Sequence, residues 1–168
     1  KTQYYHVALT PTLVAPGQAA VFPLPPEFVQ PQDGQAKQDC ELNAGARWLQ
    51  RWGARLAAWR TTVLGDDLYC HQPFCEQVLT AGCEFLLVCL PASHALLYEW
   101  VADFERTGEV GSLVKTHWTG KQRLTDTYRW LNDLPLRDGD DALRVGWCEL
   151  TTTDADGAVL YRNAWASS

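Results

Sequence analysis

Two adjacent carboxylates, Asp66 and Asp67, are the residues of this sequence best placed to do chemistry. The β-branched and apolar residues 59–64 before them predict a short buried strand, and Pro73 after them stands where a helix would begin. Ligands of open α/β sheets usually bind at this point, at the carboxyl end of a strand. A carboxylate there can hold Mg²⁺, which takes one or two protein carboxylates together with substrate phosphates. The simpler interpretation is a polar turn that caps the following helix.

Three residues directly after the acids, Cys70, His71 and Cys75, could instead bind zinc. Zinc sites usually combine two Cys/His pairs, and the further candidates Cys89 and His94 flank a predicted buried strand, so no matching second pair is found. A Cys–His catalytic pair is disfavoured too, because such pairs normally meet from distant segments, whereas Cys70 and His71 are neighbours. We therefore predict structural roles for these three residues.

The composition indicates one globular domain with a real core, since the chain has 168 residues and 46% of them are hydrophobic. No apolar stretch approaches the ~18–20 residues of a membrane span, and no secretory leader is present. The six cysteines are scattered through predicted helices and strands, so we expect reduced thiols in a cytoplasmic protein without a membrane partner. The start at Lys1 and the lack of methionine favour a piece excised from a longer protein.

A helical period runs through residues 37–59. Its apolar residues gather into one arc, predicted to face the core: Trp48, Leu49, Trp52, Leu56 and Trp59. A separate stripe at four-residue spacing consists of Arg47, Arg51 and Arg55. This stripe is either a solvated basic face or a contact surface for the phosphate backbone of DNA. The net charge of −6 excludes a wholly basic surface but not such a local patch.

The remaining elements predict an α/β fold followed by antiparallel strands. Residues 3–14 and 20–24 read as two antiparallel strands, and residues 25–34 as a loop. The strand before Asp66 is followed by a helix that ends at Gly82, by a buried strand over residues 84–90, and by a helix that Ser93 caps and Gly108 ends. Such a β–α–β–α passage implies parallel strands joined by a right-handed crossover.

Beyond Gly111 the sequence alternates apolar and polar residues in four segments, 112–118, 124–131, 143–153 and 158–165. The turn sequence DADG between the last two is typical of a β-hairpin. This part of the chain is therefore predicted to be antiparallel β-structure.

Several stretches resemble the catalytic region of insertion-sequence transposases of the acidic-triad (DDE) type, in the insertion-sequence-four-like group. The stretch around Asp66, LGDDLYCHQP over residues 64–73, is the most specific of them. The supporting stretches are residues 6–11, 14–17, 26–28, 31–34, 37–41, 47–49, 88–91, 93–94 and 97–100.

The resemblance implies an RNase H-like mixed sheet with flanking helices over residues 1–110, without its first strand, and a β-rich insertion over residues 111–168. In this family three acids bind two divalent metals, Mg²⁺ or Mn²⁺, and drive phosphodiester hydrolysis and strand transfer. The second acid matches Asp66, because the spacing from Asp66 to Tyr69 resembles the family's Asp-x-x-aromatic pattern. The implied partners are transposon ends, target DNA and a second copy in a homodimer.

Two departures from the family pattern limit the expected activity. The strand that carries the first acid should precede Lys1-Thr2-Gln3, which contains no carboxylate. The third acid belongs to a Tyr-x-x-Arg-x-x-x-Glu pattern that neither Tyr128 nor Tyr161 begins, and Glu149 lies in a predicted strand. We therefore expect a catalytic-region fragment that is inactive alone. The alternatives are a non-catalytic remnant that binds DNA or is purely structural, and a thiol or zinc protein.

Overall fold

Two antiparallel ladders of two-residue strands come first in the computed structural model, which describes residues 7–30 and 39–168. Their strands in chain order are β1 (Ala8–Leu9), β2 (Thr12–Leu13), β3 (Phe22–Pro23) and β4 (Glu27–Phe28). β1 pairs with β4, and β2 pairs with β3. The returning strand predicted over residues 20–24 is therefore confirmed, whereas the loop predicted over residues 25–34 contains β4. The predictions for residues 1–6 and 31–38 lie outside the described residues.

A six-stranded mixed sheet with flanking helices forms the rest of the fold. Its elements are α1 (Glu41–Ala58), β5 (Thr62–Gly65), a 3₁₀ turn (Asp67–Tyr69), α2 (Gln72–Thr80), β6 (Glu84–Val88), α3 (Ala95–Thr107), β7 (Gly111–Trp118), β8 (Arg123–Pro135), β9 (Arg144–Thr153) and β10 (Val159–Ser167). The strand order is β5-β6-β10-β9-β8-β7, and only the β5–β6 pair is parallel. The prediction of an α/β fold with a mixed sheet is thus confirmed at this level.

The parallel pair carries the β–α–β passage that the sequence predicts. Residues Thr62 to Gly65 pair in register with Glu84 to Leu87, and α2 connects the two strands. Gly82 and Gly108 end α2 and α3 with φ angles of +82° and +76°, a left-handed conformation in which glycine avoids the Cβ clash.

Three predictions in this passage are wrong: the start of the first strand, its burial, and the residue that caps α3. The strand before Asp66 begins at Thr62, whereas Trp59 caps the C-terminus of α1 and is 53% exposed instead of facing the core. The strand is not buried either, because β5 pairs only with β6 within the described residues, and Leu64 is 60% exposed. The N-cap of α3 is His94 rather than Ser93, whose hydroxyl is bound elsewhere.

The main core lies between α1, α2, α3 and the sheet. From α1 it receives Trp48, Leu49 and Leu56, while Trp52 is half-buried, so most of the predicted apolar arc is confirmed. Fully burying a side chain such as Leu56 contributes roughly 1.5–3 kcal/mol. No helix within residues 7–30 and 39–168 combines the length and hydropathy needed to cross a lipid bilayer.

The four predicted C-terminal strands are confirmed as β7 to β10. Gly157, at a φ of +84°, closes the β9–β10 hairpin, and the amide of Asp154 donates to the carbonyl of Ala158. β10 lies between β9 and β6, which joins the antiparallel strands to the parallel pair in one sheet. The predicted boundary at residue 110 therefore separates the strands of the parallel pair from the four antiparallel strands, and both groups belong to one continuous sheet.

Candidate functional site

Asp66 lies at the carboxyl end of β5, where the sequence predicts it. Its extended backbone, with φ −81° and ψ −176°, turns the chain out of the sheet into the 3₁₀ turn. The side chain accepts a hydrogen bond of 3.1 Å from the amide of Leu68, so Asp66 caps this turn. The carboxylate remains exposed to solvent and is open to a ligand.

Tyr69 fixes the turn that follows Asp66. Its hydroxyl donates to Oε1 of Glu41 at 2.8 Å, and its ring packs on Phe74 with centroids 4.9 Å apart. A Cβ on Gly65 would lie 3.2 Å from the Tyr69 ring and 3.0 Å from Leu87, so glycine permits this close approach. Burial, reinforced by Glu41, raises the pKa of Tyr69, which keeps the hydroxyl protonated as a donor. The Asp-x-x-Tyr spacing therefore has a structural basis.

Asp67 differs from Asp66 because it bridges two loops. One of its oxygens, Oδ1, accepts from the amide of Leu90 at 2.7 Å, and Oδ2 accepts from the hydroxyl of Ser93. Its Oδ1 is also 3.5 Å from Nε2 of His94. Asp67 thus ties the loop after β5 to the loop after β6. Asp66 as a metal ligand stays a prediction, and the contacts of Asp67 agree with the choice of Asp66 over its neighbour.

A buried cluster of Cys70, Cys89 and His94 lies beside Asp67. Each residue offers one ligand atom, and the three atoms lie within 4.8 Å of one another. Cys89 and His94 were set aside in the sequence because they flank a predicted buried strand, yet the parallel pairing of β5 and β6 brings together the loops that follow the two strands. The usable signal in the sequence was that Cys70 lies in the loop after the first predicted strand of the βαβ unit and Cys89 lies near the end of the second.

The other two residues of the local zinc hypothesis lie elsewhere. His71 is exposed at the N-cap of α2, and its ring is 6.2 Å from that of His94. Cys75 is fully buried in the core. Burial raises the pKa of Cys75 to about 12. A hydrogen bond with Cys89, together with burial, raises the pKa of Cys70 well above its usual range. Both thiols are therefore neutral at neutral pH.

All six cysteines lie in the described residues and are free thiols. Four of them, Cys70, Cys75, Cys83 and Cys89, are buried, as expected of reduced structural thiols. Cys40 is exposed at the N-cap of α1, and Cys148 is half-buried in β9. The latter two provide thiols outside the cluster.

The three arginines predicted to contact DNA have different environments. Arg47 donates to Glu27 at 3.1 Å and to both oxygens of Asp39 at 3.0 and 2.9 Å. A hydrogen bond from Arg47 lowers the pKa of Asp39 far below its usual range. Arg51 pairs with the other oxygen of Glu27 at 3.0 Å, with its own side chain 61% exposed, and Arg55 is exposed and stacks on Trp52.

These contacts divide the stripe in two. Arg47 holds the β1–β4 ladder and Asp39, two residues before α1, against the helix, so most of its donors are used inside the protein. Arg51 and Arg55 are exposed to solvent, although Arg51 also pairs with Glu27. Contact with DNA remains a prediction for all three, and the exposed two are the better placed.

Glu149, the acid set aside in the sequence because of its strand position, does lie in β9. It is buried between Arg129 and Arg162, whose Nη2 atoms are each 2.8 Å from its oxygens. Both carboxylate oxygens therefore have partners, and Glu149 belongs to a structural ion-pair cluster.

A groove of about 360 Å³ runs along the free edge of β5. Its lining is mostly apolar, with side chains from the N-terminal ladders, α1 and β5: Leu9, Leu13, Leu24, Trp48, Leu56 and Val63. β5 pairs only with β6 in residues 7–30 and 39–168, so the outer edge of β5 beside Asp66 has no strand partner there.

Comparisons with family models, curated proteins and solved structures gave no significant match to this chain. No family or activity follows from them. The resemblance to transposases therefore rests on the stretches quoted above, and the site on its geometry.

Proposed function

We propose that this chain belongs to the catalytic region of a DDE-type DNA transposase with an RNase H-like fold, and that Asp66 is one of its metal-binding acids. The observation that carries the proposal is the position of Asp66, an exposed carboxylate at the end of a strand in a parallel βαβ unit. Such strand ends are where α/β sheets bind ligands. Asp67, by contrast, is engaged in loop contacts.

Asp66 would hold Mg²⁺ or Mn²⁺, which in a complete site supplies Lewis-acid activation for phosphodiester hydrolysis and strand transfer at insertion-sequence ends. The residues of this chain orient that carboxylate: the Leu68 amide holds its Oδ1, and Tyr69 anchors the turn behind it. The further acids would have to lie close by. The free edge of β5 is a suitable position for a strand that brings one of them next to Asp66.

Binding of Mn²⁺ to the isotope-labelled chain tests the role of Asp66 directly. A single carboxylate binds a hard cation weakly, so we expect an affinity on the order of millimolar, with paramagnetic broadening centred on the amides of residues 64–69. Asp66→Asn should abolish this broadening. The matched control, Asp140→Asn in the exposed β8–β9 loop, should leave it unchanged. Broadening that persists in Asp66→Asn would refute the assignment.

A second candidate function is DNA binding without catalysis, as in a remnant that keeps the fold. The exposed Arg51 and Arg55 on one helix favour it, and the capping bond of Asp66 gives that acid a sufficient structural role. Both candidates predict DNA binding that weakens with salt. They differ in whether Mn²⁺ binds at Asp66.

Electrophoretic DNA binding across a salt series tests the arginine surface. Replacing both Arg51 and Arg55 with Gln should lower the affinity and reduce the salt slope by about 1 for each of the two arginines that neutralises a phosphate. Lys121→Gln with Arg123→Gln, both exposed at the β7–β8 turn, removes the same charge elsewhere and serves as control. If wild type does not bind DNA at low salt, or if both double variants bind alike, the arginine surface does not bind the phosphate backbone.

A further inference from the structure

We propose that Cys70, Cys89 and His94 bind a zinc ion, with the carboxylate of Asp67 as the fourth ligand. The site is separate from the divalent-metal site proposed for Asp66, and it has a different chemistry. It lies where the chain leaves β5 and β6, on the buried side of the loops that follow the two strands.

The three residues form a buried site with converging ligand atoms. Cys70 and Cys89 are fully buried, and His94 is 6% exposed. Their ligand atoms all lie within 4.8 Å of one another. In a tetrahedral zinc site, bond lengths of ~2.0–2.3 Å place neighbouring ligand atoms roughly 3.3–3.8 Å apart. Binding therefore requires side-chain shifts of about 1 Å and no change of backbone topology.

An unpartnered nitrogen points independently to a ligand. Nε2 of His94 is buried and makes no hydrogen bond within the described residues, although Oδ1 of Asp67 lies 3.5 Å from it. A buried polar atom left without a partner costs about 1–3 kcal/mol, so such atoms call for an explanation. Coordination of a metal ion by the imidazole would provide the missing partner.

The fourth position is assigned to Asp67 from its contact with His94 alone, since the group of mutually close ligand atoms contains only Cys70, Cys89 and His94. Oδ1 of Asp67 is 3.5 Å from Nε2 of His94, which is the separation expected of two ligands on one tetrahedral ion. The same carboxylate receives the Leu90 amide and the Ser93 hydroxyl. These bonds would orient Asp67 as outer-shell donors orient metal-bound carboxylates.

The donor set selects the metal. Two thiolates and an imidazole suit Zn²⁺, whereas Mg²⁺ and Mn²⁺ prefer oxygen ligands. Both thiols must lose a proton to solvent on binding, so two protons leave for each Zn²⁺ that enters. With two thiolates and one carboxylate, the bound site carries a net charge of −1. No oxidant or other co-reactant is needed.

The bound ion would join the loops after two adjacent parallel strands. Cys70 follows the 3₁₀ turn that Asp66 caps, while Cys89 and His94 bracket the segment between β6 and α3. Zinc would therefore act as a structural clamp that holds the Asp66 turn against the end of β6.

Cobalt substitution in the purified, reduced chain tests the site. One equivalent of Co²⁺ should give the thiolate-to-cobalt charge-transfer band and the intense visible bands of tetrahedral coordination, and Zn²⁺ should displace it. Native mass spectrometry should show one zinc per chain and a loss of two protons on binding. A wild-type chain that gives no thiolate band, although its thiols titrate as reduced, would overturn the proposal.

Single substitutions locate the ligands. Cys89→Ser should weaken binding by more than the roughly 10–100-fold that removal of an outer-shell partner costs. The matched controls Cys40→Ser and Cys148→Ser, which remove thiols outside the cluster, should leave the affinity unchanged. Equal losses of affinity in all three variants would overturn the assignment, as would a Cys70–Cys89 disulfide that forms readily and is unaffected by Zn²⁺.

Separate measurements distinguish the two metal proposals, so that either one can be refuted without the other. Asp66→Asn should abolish Mn²⁺ broadening and leave the Co²⁺ spectrum intact. Because wild-type stoichiometry and spectra are measured without any substitution, a Cys89→Ser chain that does not fold still leaves the zinc proposal decided by the wild-type result.

Discussion

The parallel and antiparallel parts of the sheet differ in whether their polar side chains are paired across neighbouring strands. In the antiparallel part, Glu149 stands directly across from Arg129 in the β8–β9 register, and Asp126 stands across from Thr152, which donates to it at 2.6 Å. In the parallel part, Asp66 and the zinc-ligand candidates lie beyond the strand ends, outside any ladder.

This difference explains which side chains of the molecule remain available to bind ligands. A side chain within an antiparallel ladder faces a partner that the register fixes, so its charge is neutralised inside the protein. Side chains just beyond parallel strands converge from separate loops, and no register assigns them a partner. Potential ligands are therefore concentrated at one end of the β5–β6 pair, although the antiparallel part holds more of the sheet.

The largest expected effect is in the antiparallel part. Glu149→Gln removes the charge between Arg129 and Arg162, and breaking a buried ion pair costs about 3 kcal/mol. The free energy of unfolding, measured by urea denaturation, should fall by about that amount. Glu109→Gln, at an exposed site, should change it by less than ~0.5 kcal/mol. If Glu149→Gln lowered the free energy of unfolding by less than ~1 kcal/mol, the paired charges of the antiparallel part would not stabilise the fold as described.

The two adjacent acids allow the same comparison within one turn. Asp67→Asn should destabilise the chain by roughly 1–2 kcal/mol, because its carboxylate receives donors from the β6 loop. Asp66→Asn should cost less than about 0.5 kcal/mol, because asparagine caps a turn as well as aspartate does. Denaturation of zinc-free samples separates these values from any contribution of the metal. Equal decreases in stability would mean that Asp66 is as structural as its neighbour.

The smallest effect concerns the ion pair of Asp39 and Arg47. This pair lies at the N-terminal end of α1, and it buries the carboxylate of Asp39 as the antiparallel strands bury that of Glu149. The pKa of Asp39 is lowered in the folded chain, so its contribution is complete above the unfolded value of about 4 and is lost as the pH falls further. Between pH 4 and pH 2, wild type should therefore lose about 1 kcal/mol more stability than Asp39→Asn.

Urea denaturation at several pH values measures this difference. The two stability curves should converge at low pH, where Asp39 is protonated in both the folded and the unfolded chain. Asp140→Asn, in an exposed loop, should run parallel to wild type. Parallel curves for Asp39→Asn would show that the pair contributes nothing.

Local patterns in the sequence predicted most of the secondary structure. The β–α–β passage and the four C-terminal strands follow from hydrophobic periodicity, and Gly82 and Gly108 mark two helix ends correctly. The position of β10 between β6 and β9 was not predictable, because periodicity contains no information about which strands are neighbours. The exposed face of β5 was missed for the same reason.

In the candidate site, too, local features were predictable from the sequence, whereas features that depend on strand pairing were not. The strand-end position of Asp66 is a local feature and was found from the sequence. The contacts of Asp67 with Leu90 and Ser93, and the grouping of Cys70 with Cys89 and His94, depend on the pairing of β5 with β6. Arg47 was assigned to a surface stripe because its acidic partners come from other segments of the chain.

The position of β10 also constrains the order of folding. The β6 edge that β10 covers stays unpaired until almost the whole described chain has left the ribosome, since Trp165 pairs with Val88. Pairings over so long a stretch of chain close slowly, and an unpaired apolar edge is prone to associate with other chains in the meantime. Pairing of β6 with β10 therefore completes the sheet only after nearly all of the described residues have been synthesised.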